Sequence, residues 1–238
     1  GAGRPVNPAE WAAHDPDPVT REEVRRWLAE GSPLLESRFA GPLTFGTAGL
    51  RGLIGAGESA MNVATVTRAT AGLAAWLGEG ARVVLGCDAR HGSRDFYDAA
   101  AEVLSAAGIE VLALPPQLPT PLTAFAVRHC GADAGVMITA SHNPATDNGY
   151  KVYDASGSQI IPPADAEITA LIGAAAWADE IPRDRVLIRE VDVLEEYLAR
   201  ALSLIDAPSS QPVIVTTAMH GVGGGLLARA LREAGFER

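Results

Sequence analysis

The chain has 238 residues, 47% of them apolar and 20% charged, which suffices for a full hydrophobic core and part of a second domain. A formal charge of −10 excludes a general binder of nucleic-acid backbone, which needs a basic face. No apolar run is long enough to span a membrane, and the amino terminus lacks the apolar core of a secretory signal, so a cytoplasmic location is the expectation. Cys87 and Cys130 fit no zinc or redox spacing and read as buried free thiols.

In chain order, Thr20-Arg21-Glu22-Glu23 reads as a capping box opening a helix over 21–30 that Gly31 stops. A short helix over 33–39 follows. Residues 43–52 hold three glycines in ten positions and read as a loop with backbone amides free to face a ligand. Helical spacing of Val63, Val66, Ala69, Leu73 and Trp76, with Asn62 as cap, predicts a helix over 62–77. Strands are expected at 82–86, 110–114 and 134–138, and helices at 94–107 and 120–129, the latter opening on Thr120 as cap and Pro121 in the first turn. Residues 150–153 and 158–161 read as a short antiparallel pair turning at Ala155-Ser156-Gly157, followed by a helix over 164–175. Residues 182–192 read as irregular and 193–205 as helix. Asp206 to Pro212 has linker composition, and a strand at 213–217 with a helix at 226–234 would open a second domain. The alternation of strand and helix indicates an α/β fold, a sheet covered by helices, with functional loops at the carboxyl ends of strands. The division expected is a helical extension over 1–42, an α/β domain over 43–207 and the start of another over 208–238.

Two features concentrate chemistry. Of 19 Lys and Arg residues only one is lysine, Lys151, ten positions after Ser141. Arginine does not release its proton at neutral pH, whereas a desolvated lysine can, so a proton-transferring site resists replacement by arginine. Ser141 itself follows an apolar strand and precedes His142, Asn143 and Pro144, the proline barring helical geometry at Asn143. Asp147-Asn148-Gly149 reads as a turn reversing the chain into Tyr150-Lys151, which would face Ser141, His142 and Lys151 into one space. A serine there needs an activating neighbour as nucleophile, and cations or a metal if it carries phosphate. An ordinary polar hairpin loop is the competing reading.

Thr139-Ala140-Ser141-His142-Asn143-Pro144 with Asn148-Gly149-Tyr150-Lys151 resembles the phosphoserine loop of the α-D-phosphohexomutase superfamily. Phe45-Gly46-Thr47-Ala48-Gly49-Leu50-Arg51-Gly52 resembles its glycine-rich motif, and Gly86-Cys87-Asp88-Ala89-Arg90 its strand-end motif. Pro119-Thr120-Pro121 matches a further element, and Thr217-Ala218-Met219-His220-Gly221-Val222-Gly223 resembles the opening of its second domain, all in the family's order.

The resemblance implies a mixed sheet sandwiched by helices, as in the family's first domain, plus the first strand–helix unit of a similar second one. It also implies a phosphosugar mutase, an isomerase moving phosphate between C1 and C6 (or C1 and C5) of a sugar. Ser141 would carry the phosphoryl group, His142 and Lys151 would transfer protons, and Arg51 would hold phosphate. Thr47 and Asn143 would contact phosphate. Magnesium would meet the Ser141 phosphate, and a sugar 1,6-bisphosphate would be intermediate and activator. The partners implied are small sugar phosphates. Ala48 and Leu50 resemble the phosphoglucomutase and phosphopentomutase branch.

The sequence departs from the family in holding no Asp-Gly-Asp metal loop and none of the later sugar and phosphate loops, so these 238 residues are expected to be inactive alone. The alternative is a non-catalytic sugar-phosphate binding or interaction module. Asp88 and Arg90 read as a structural pair at a strand end. Gly221-Val222-Gly223-Gly224-Gly225 fails dinucleotide spacing, and Ser141 lacks the hydrolase nucleophile elbow.

Overall fold

A computed structural model describes residues 6–46, 49–206 and 210–236. Three helices come first: α1 (Pro8–Ala13), α2 (Pro18–Glu30) and α3 (Leu34–Arg38). The sequence reading did not find α1, although Asn7-Pro8 carries its signal. The Asn7 side chain accepts from the Ala9 and Glu10 amides, and Pro8 sits in the first turn where no N–H is needed. Helix α2 begins before the expected capping box. Asp17 caps it, accepting from the Val19 amide at 2.8 Å, while Thr20 donates to the buried Asp15 carboxylate at 2.5 Å. Trp11, Val24, Trp27 and Phe39 turn inward and pack with Ala56, Ala64 and Ala178, so apolar burial fastens these helices to the sheet-bearing part. His14, which has no partner readable in the sequence, pairs with Asp179 at 3.0 Å and stacks on Trp177.

The remaining elements are β1 (Leu50–Leu53), α4 (Val63–Leu77), β2 (Arg82–Cys87), α5 (Ser93–Ala106), β3 (Glu110–Ala113), α6 (Thr120–His129), β4 (Ala134–Ile138), β5 (Asp147–Asp154), α7 (Ala164–Ala174), β6 (Ile188–Glu190), α8 (Leu194–Leu202) and α9 (Gly224–Glu233). The six strands form one sheet in the order β1-β5-β4-β2-β3-β6. Strands β4, β2, β3 and β6 run parallel, β5 is antiparallel to β4, and β1 is antiparallel to β5. This is the mixed α/β fold expected.

Side chains alternate across the pleat. Val83, Leu85, Val136, Ile138, Tyr150 and Val152 face a core shared with residues of α4 and α5. Val84, Leu112, Met137 and Tyr153 face Ala126 and Val127 of α6. That second face matters for the site. Gly86 and Gly135 let α6 lie close: a Cβ on either would meet Thr123 Oγ1 or Val127 Cγ2 at 2.3 and 2.5 Å.

Several local expectations are corrected. The glycine-rich stretch is not loop throughout, because β1 starts at Leu50, where the chain pairs with β5. Asp147-Asn148-Gly149 is not a turn but the start of β5; the reversal is made by residues 140–146, with Asn143 N–H donating to Ala140 O and Asp147 N–H to Pro144 O. Residues 158–161 make only a single bridge, Tyr153 to Gln159, rather than a strand. The 182–192 stretch contains β6, which pairs with β3 despite its charge. Helix α6 is preceded by Pro119, with no side chain capping it. Residues 213–217 form no strand. Val213 and Val215 are exposed, so of the expected second unit only α9 is present among the described residues. Cys130 is half-buried rather than buried, whereas Cys87 is fully enclosed.

Candidate active site

The parallel pairing of β2 with β4 ends at Cys87 opposite Ile138, so the chain leaves both strands side by side. Asp88 and Thr139 are the next residues on each, and they touch: Thr139 Oγ1 donates to Asp88 Oδ2 at 2.5 Å. The same Thr139 oxygen accepts from the Ser141 amide at 2.9 Å. The other Asp88 oxygen accepts from the Arg90 amide at 3.0 Å and from Ser93 Oγ at 2.7 Å. Ser93 lies in the first turn of α5, and its hydroxyl also meets the buried Asn148 side chain at 3.0 Å. Asn148 donates further to His91 O at 2.8 Å. Turn-forming residue types therefore serve here as buried cross-links between the two loops.

Arg90 lies at the centre of the Ser141 loop. Its two terminal nitrogens donate to Ser141 O (2.6 Å), Asn143 O (2.8 Å), Pro144 O (2.8 Å) and Asp147 O (3.0 Å). Its Nε faces Asp88 Oδ2 at 3.4 Å, with side-chain exposures of 15% and 14% for the pair. The expected structural pair is present, and it holds the loop as well as the strand end.

Ser141 has a backbone φ of +57°, the left-handed region that L-residues with a side chain seldom occupy. The Arg90 bond to its carbonyl and the Thr139 bond to its amide hold it there. The hydroxyl is exposed, and its nearest side-chain partner is His142 Nδ1 at 3.5 Å, the outer limit of a hydrogen bond. His142 is exposed beside it. Asn143 turns its amide inward to Asp147 Oδ2 at 3.0 Å and so closes the loop on itself.

Arg51 and Lys151 share one sheet face. Arg51 pairs with Gly149 across β1 and β5, and Lys151 stands two residues beyond Gly149 on the same side. Gly149 leaves room for this. A Cβ there would lie 2.9 Å from Arg51 Cγ and 2.6 Å from Thr139 O. Burial and the neighbouring Arg51 charge push the Lys151 ammonium below its ordinary value, with Asp88 pulling the other way. Two cations on one face, neither hydrogen-bonded to a carboxylate among the described residues, suit an incoming anion. No hydrogen bond joins either cation to Ser141. Ser141 and His142 stand together on the loop, and Arg51 and Lys151 stand on the paired strands β1 and β5 beside it.

Gly49 brings the glycine-rich segment against β5. It has φ +72°, and a Cβ would fall 1.9 Å from Tyr150 O. Thr47, expected to contact phosphate, lies outside the described residues. Among the described residues no three His, Cys, Asp or Glu side chains converge as a metal-binding group. No helix among them is long and apolar enough to cross a membrane.

The site residues sequence reasoning undervalued are Arg90, Thr139 and Asn148. The Asp88-x-Arg90 spacing was a signal for the first, since the carboxylate caps the amide two residues on. Nothing in the linear order indicated that Arg90 reaches residues 141 to 147.

Residues 42–179 match the family model described as phosphoglucomutase/phosphomannomutase, alpha/beta/alpha domain I. A Haemophilus influenzae protein named Probable phosphomannomutase is 41% identical over 185 residues, covering 74% of this chain and 38% of its own. The Saccharomyces cerevisiae Phosphoribomutase is 36% identical over 250 residues, covering 94% and 40%. A solved structure of a phosphomannomutase-type protein from Thermus thermophilus superposes with a TM-score of 0.72 at 33% identity, covering 83% of this chain and 44% of that one. The chain thus spans about two fifths of the length of these curated relatives. It belongs to the phosphoglucomutase/phosphomannomutase family.

Proposed function

We propose that this chain supplies the phosphate-carrying serine of a phosphosugar mutase, and that Ser141 is that serine. The observation that carries the reading is the exposed, left-handed Ser141 held by a network spanning two strand ends, beside two cations that no carboxylate hydrogen-bonds among the described residues.

In the forward half-reaction, a sugar hydroxyl attacks the phosphorus of the phosphorylated serine. The new O–P bond forms as the bond to Ser141 Oγ breaks, and the hydroxyl proton passes to a base. Lys151, whose ammonium is easier to deprotonate than an ordinary lysine, and His142 are the candidates. Ser141 Oγ takes up a proton as it leaves; the bisphosphorylated sugar then turns, its other phosphoryl group moves to Ser141 Oγ with release of that proton, and the sugar oxygen set free takes up a proton in its place. Arg51 offers charge to the phosphate, and Thr47 and Asn143 are proposed contacts around it. Asn143 would have to release Asp147 to serve directly. Among the described residues no group of acidic, His or Cys side chains forms a magnesium site. The metal implied by the family would take, from the described residues, only the Ser141 phosphate. Glucose, mannose and pentose phosphates are the candidate substrates, acted on in the cytoplasm. These 238 residues alone are proposed to lack turnover.

The test is a coupled assay of an intact enzyme carrying this sequence on 1-phosphates of glucose, mannose and ribose, with Ser141→Ala beside it. Turnover on one sugar that Ser141→Ala abolishes is the expected result. Turnover retained by Ser141→Ala would remove the serine from the reaction. Sugar-phosphate binding with no turnover on any of the three would instead favour a non-catalytic binding module.

A further inference from the structure

We propose that Arg90 is a positioning residue. It sets the conformation of Ser141 and turns the carbonyl dipoles of its loop away from the phosphate, and it does not itself bind phosphate. The inference rests on the reading of Ser141 as a phosphate carrier, and it adds a division of labour among the arginines of this site.

A guanidinium has five N–H groups in a fixed plane. Here both hydrogens on each terminal nitrogen are taken by loop carbonyls, those of Ser141, Asn143, Pro144 and Asp147, at 2.6 to 3.0 Å. The fifth faces Asp88. Nothing remains to donate to a ligand. Arg51, by contrast, makes no side-chain hydrogen bond among the described residues and lies on the open face with Lys151.

The consequence for a phosphorylated serine is electrostatic. Four carbonyl oxygens bonded to one cation must point toward it, which removes the negative ends of four peptide dipoles from the side where a dianion would stand. The Ser141 carbonyl is one of them. With its amide tied to Thr139, the residue is fixed on both sides and the left-handed φ follows. Asp88 seats the guanidinium and the threonine together through one oxygen, Oδ2. A lysine at position 90 keeps the charge but has three donors on one flexible atom, too few for four carbonyls.

The test compares Arg90→Lys and Arg90→Gln with wild type in two measurements. The first is hydrogen exchange in this chain, read on peptides covering residues 139–149. Both variants are expected to exchange the Asn143 and Asp147 amides at least about tenfold faster, with peptides from α4 and β3 unchanged. The second is steady-state kinetics in an intact enzyme carrying the substitution. Arg90→Lys is expected to lower kcat by about a hundredfold, the scale of a slight misplacement of a reacting group, with KM within about threefold. A phosphate-binding arginine would raise KM instead, and lysine would largely rescue it. That result overturns the proposal, as does unchanged loop exchange. Should both Arg90 variants fail to fold, Thr139→Val decides, because it cuts the same clamp at the Ser141 amide. Faster loop exchange with lower kcat supports the proposal, and wild-type values for both overturn it. Were wild-type enzyme to take no phosphate at Ser141, the phosphate-carrier reading would fall, while loop exchange would still judge the clamp.

Discussion

Thr139→Val is the most informative single change for the stability of the site, because valine keeps the shape and removes only the hydroxyl. Thr139 is 2% exposed, so water does not replace what is lost. The hydroxyl donates to the Asp88 carboxylate at 2.5 Å, a bond to a charged acceptor contributing about 1.5–3 kcal/mol. It also accepts from the Ser141 amide at 2.9 Å, and leaving that part-buried N–H unpaired costs about 1 kcal/mol. Asp88 keeps its other partners, so the carboxylate is not orphaned and the two losses bound the effect. The expected destabilisation is about 2–4 kcal/mol, or a Tm lower by roughly 5–15 °C for a chain of this size. Urea unfolding of this chain followed by far-ultraviolet circular dichroism measures it, with Thr139→Ser as the control that keeps the oxygen and stays within about 1 kcal/mol of wild type. A valine variant within about 0.5 kcal/mol of wild type would refute the reasoning, since the hydroxyl would then contribute nothing that water or repacking cannot supply.

Because Lys151 is the sole lysine, carbon-13 labelling at Cε gives a single resonance whose titration reports that one ammonium. It is expected to titrate below the ordinary 10.5, to move upward in Arg51→Gln, and to move further down when Asp88→Asn removes the compensating charge. The folded value lies below the unfolded one, so the unfolded chain binds more protons in that window, and stability rises as pH climbs through it to about 10.5. Lys151→Met should accordingly stabilise the chain at neutral pH, with the gain vanishing above that window; a gain that persists there contradicts the assignment. Ser141→Gly should be more stable than Ser141→Ala by about 1 kcal/mol, since only glycine adopts the +57° backbone without strain, and equal unfolding midpoints would deny the strain. Gly49→Ala places a methyl group on Tyr150 O and should cost about 2 kcal/mol or more in the same urea experiment, while Gly131→Ala, which meets nothing within 4 Å, bears only the backbone penalty of its own positive φ.

The parts of the fold governed by local periodicity were readable directly. Strand β4 and helix α6 occupy the residues expected, and Asn62 caps α4 through the Thr65 amide as its residue type suggests. The errors have a common physical origin, long-range pairing that overrides local preference. Asn148 and Gly149 favour turns by themselves. They lie in β5 because Asn148 finds buried partners at His91 and Ser93, and Gly149 makes room for Arg51. Strand β6 carries Arg189 and Glu190 yet pairs with β3, where Arg189 meets Glu110 at 3.1 Å. At the site, Ser141 and Lys151 could be singled out by residue type and spacing. That Arg90 holds the loop could not, because its four acceptors are backbone carbonyls 51 to 57 positions away, and carbonyls leave no trace in residue identity.

The central claim is that Ser141 carries phosphate. Intact-mass analysis of the enzyme after incubation with glucose 1,6-bisphosphate, followed by fragmentation of the peptide spanning residues 139–149, tests it most directly. The account predicts one added phosphate, located on Ser141 and absent from Ser141→Ala. Phosphate on another residue, or an unchanged mass in an enzyme that still turns over sugar phosphates, would contradict it.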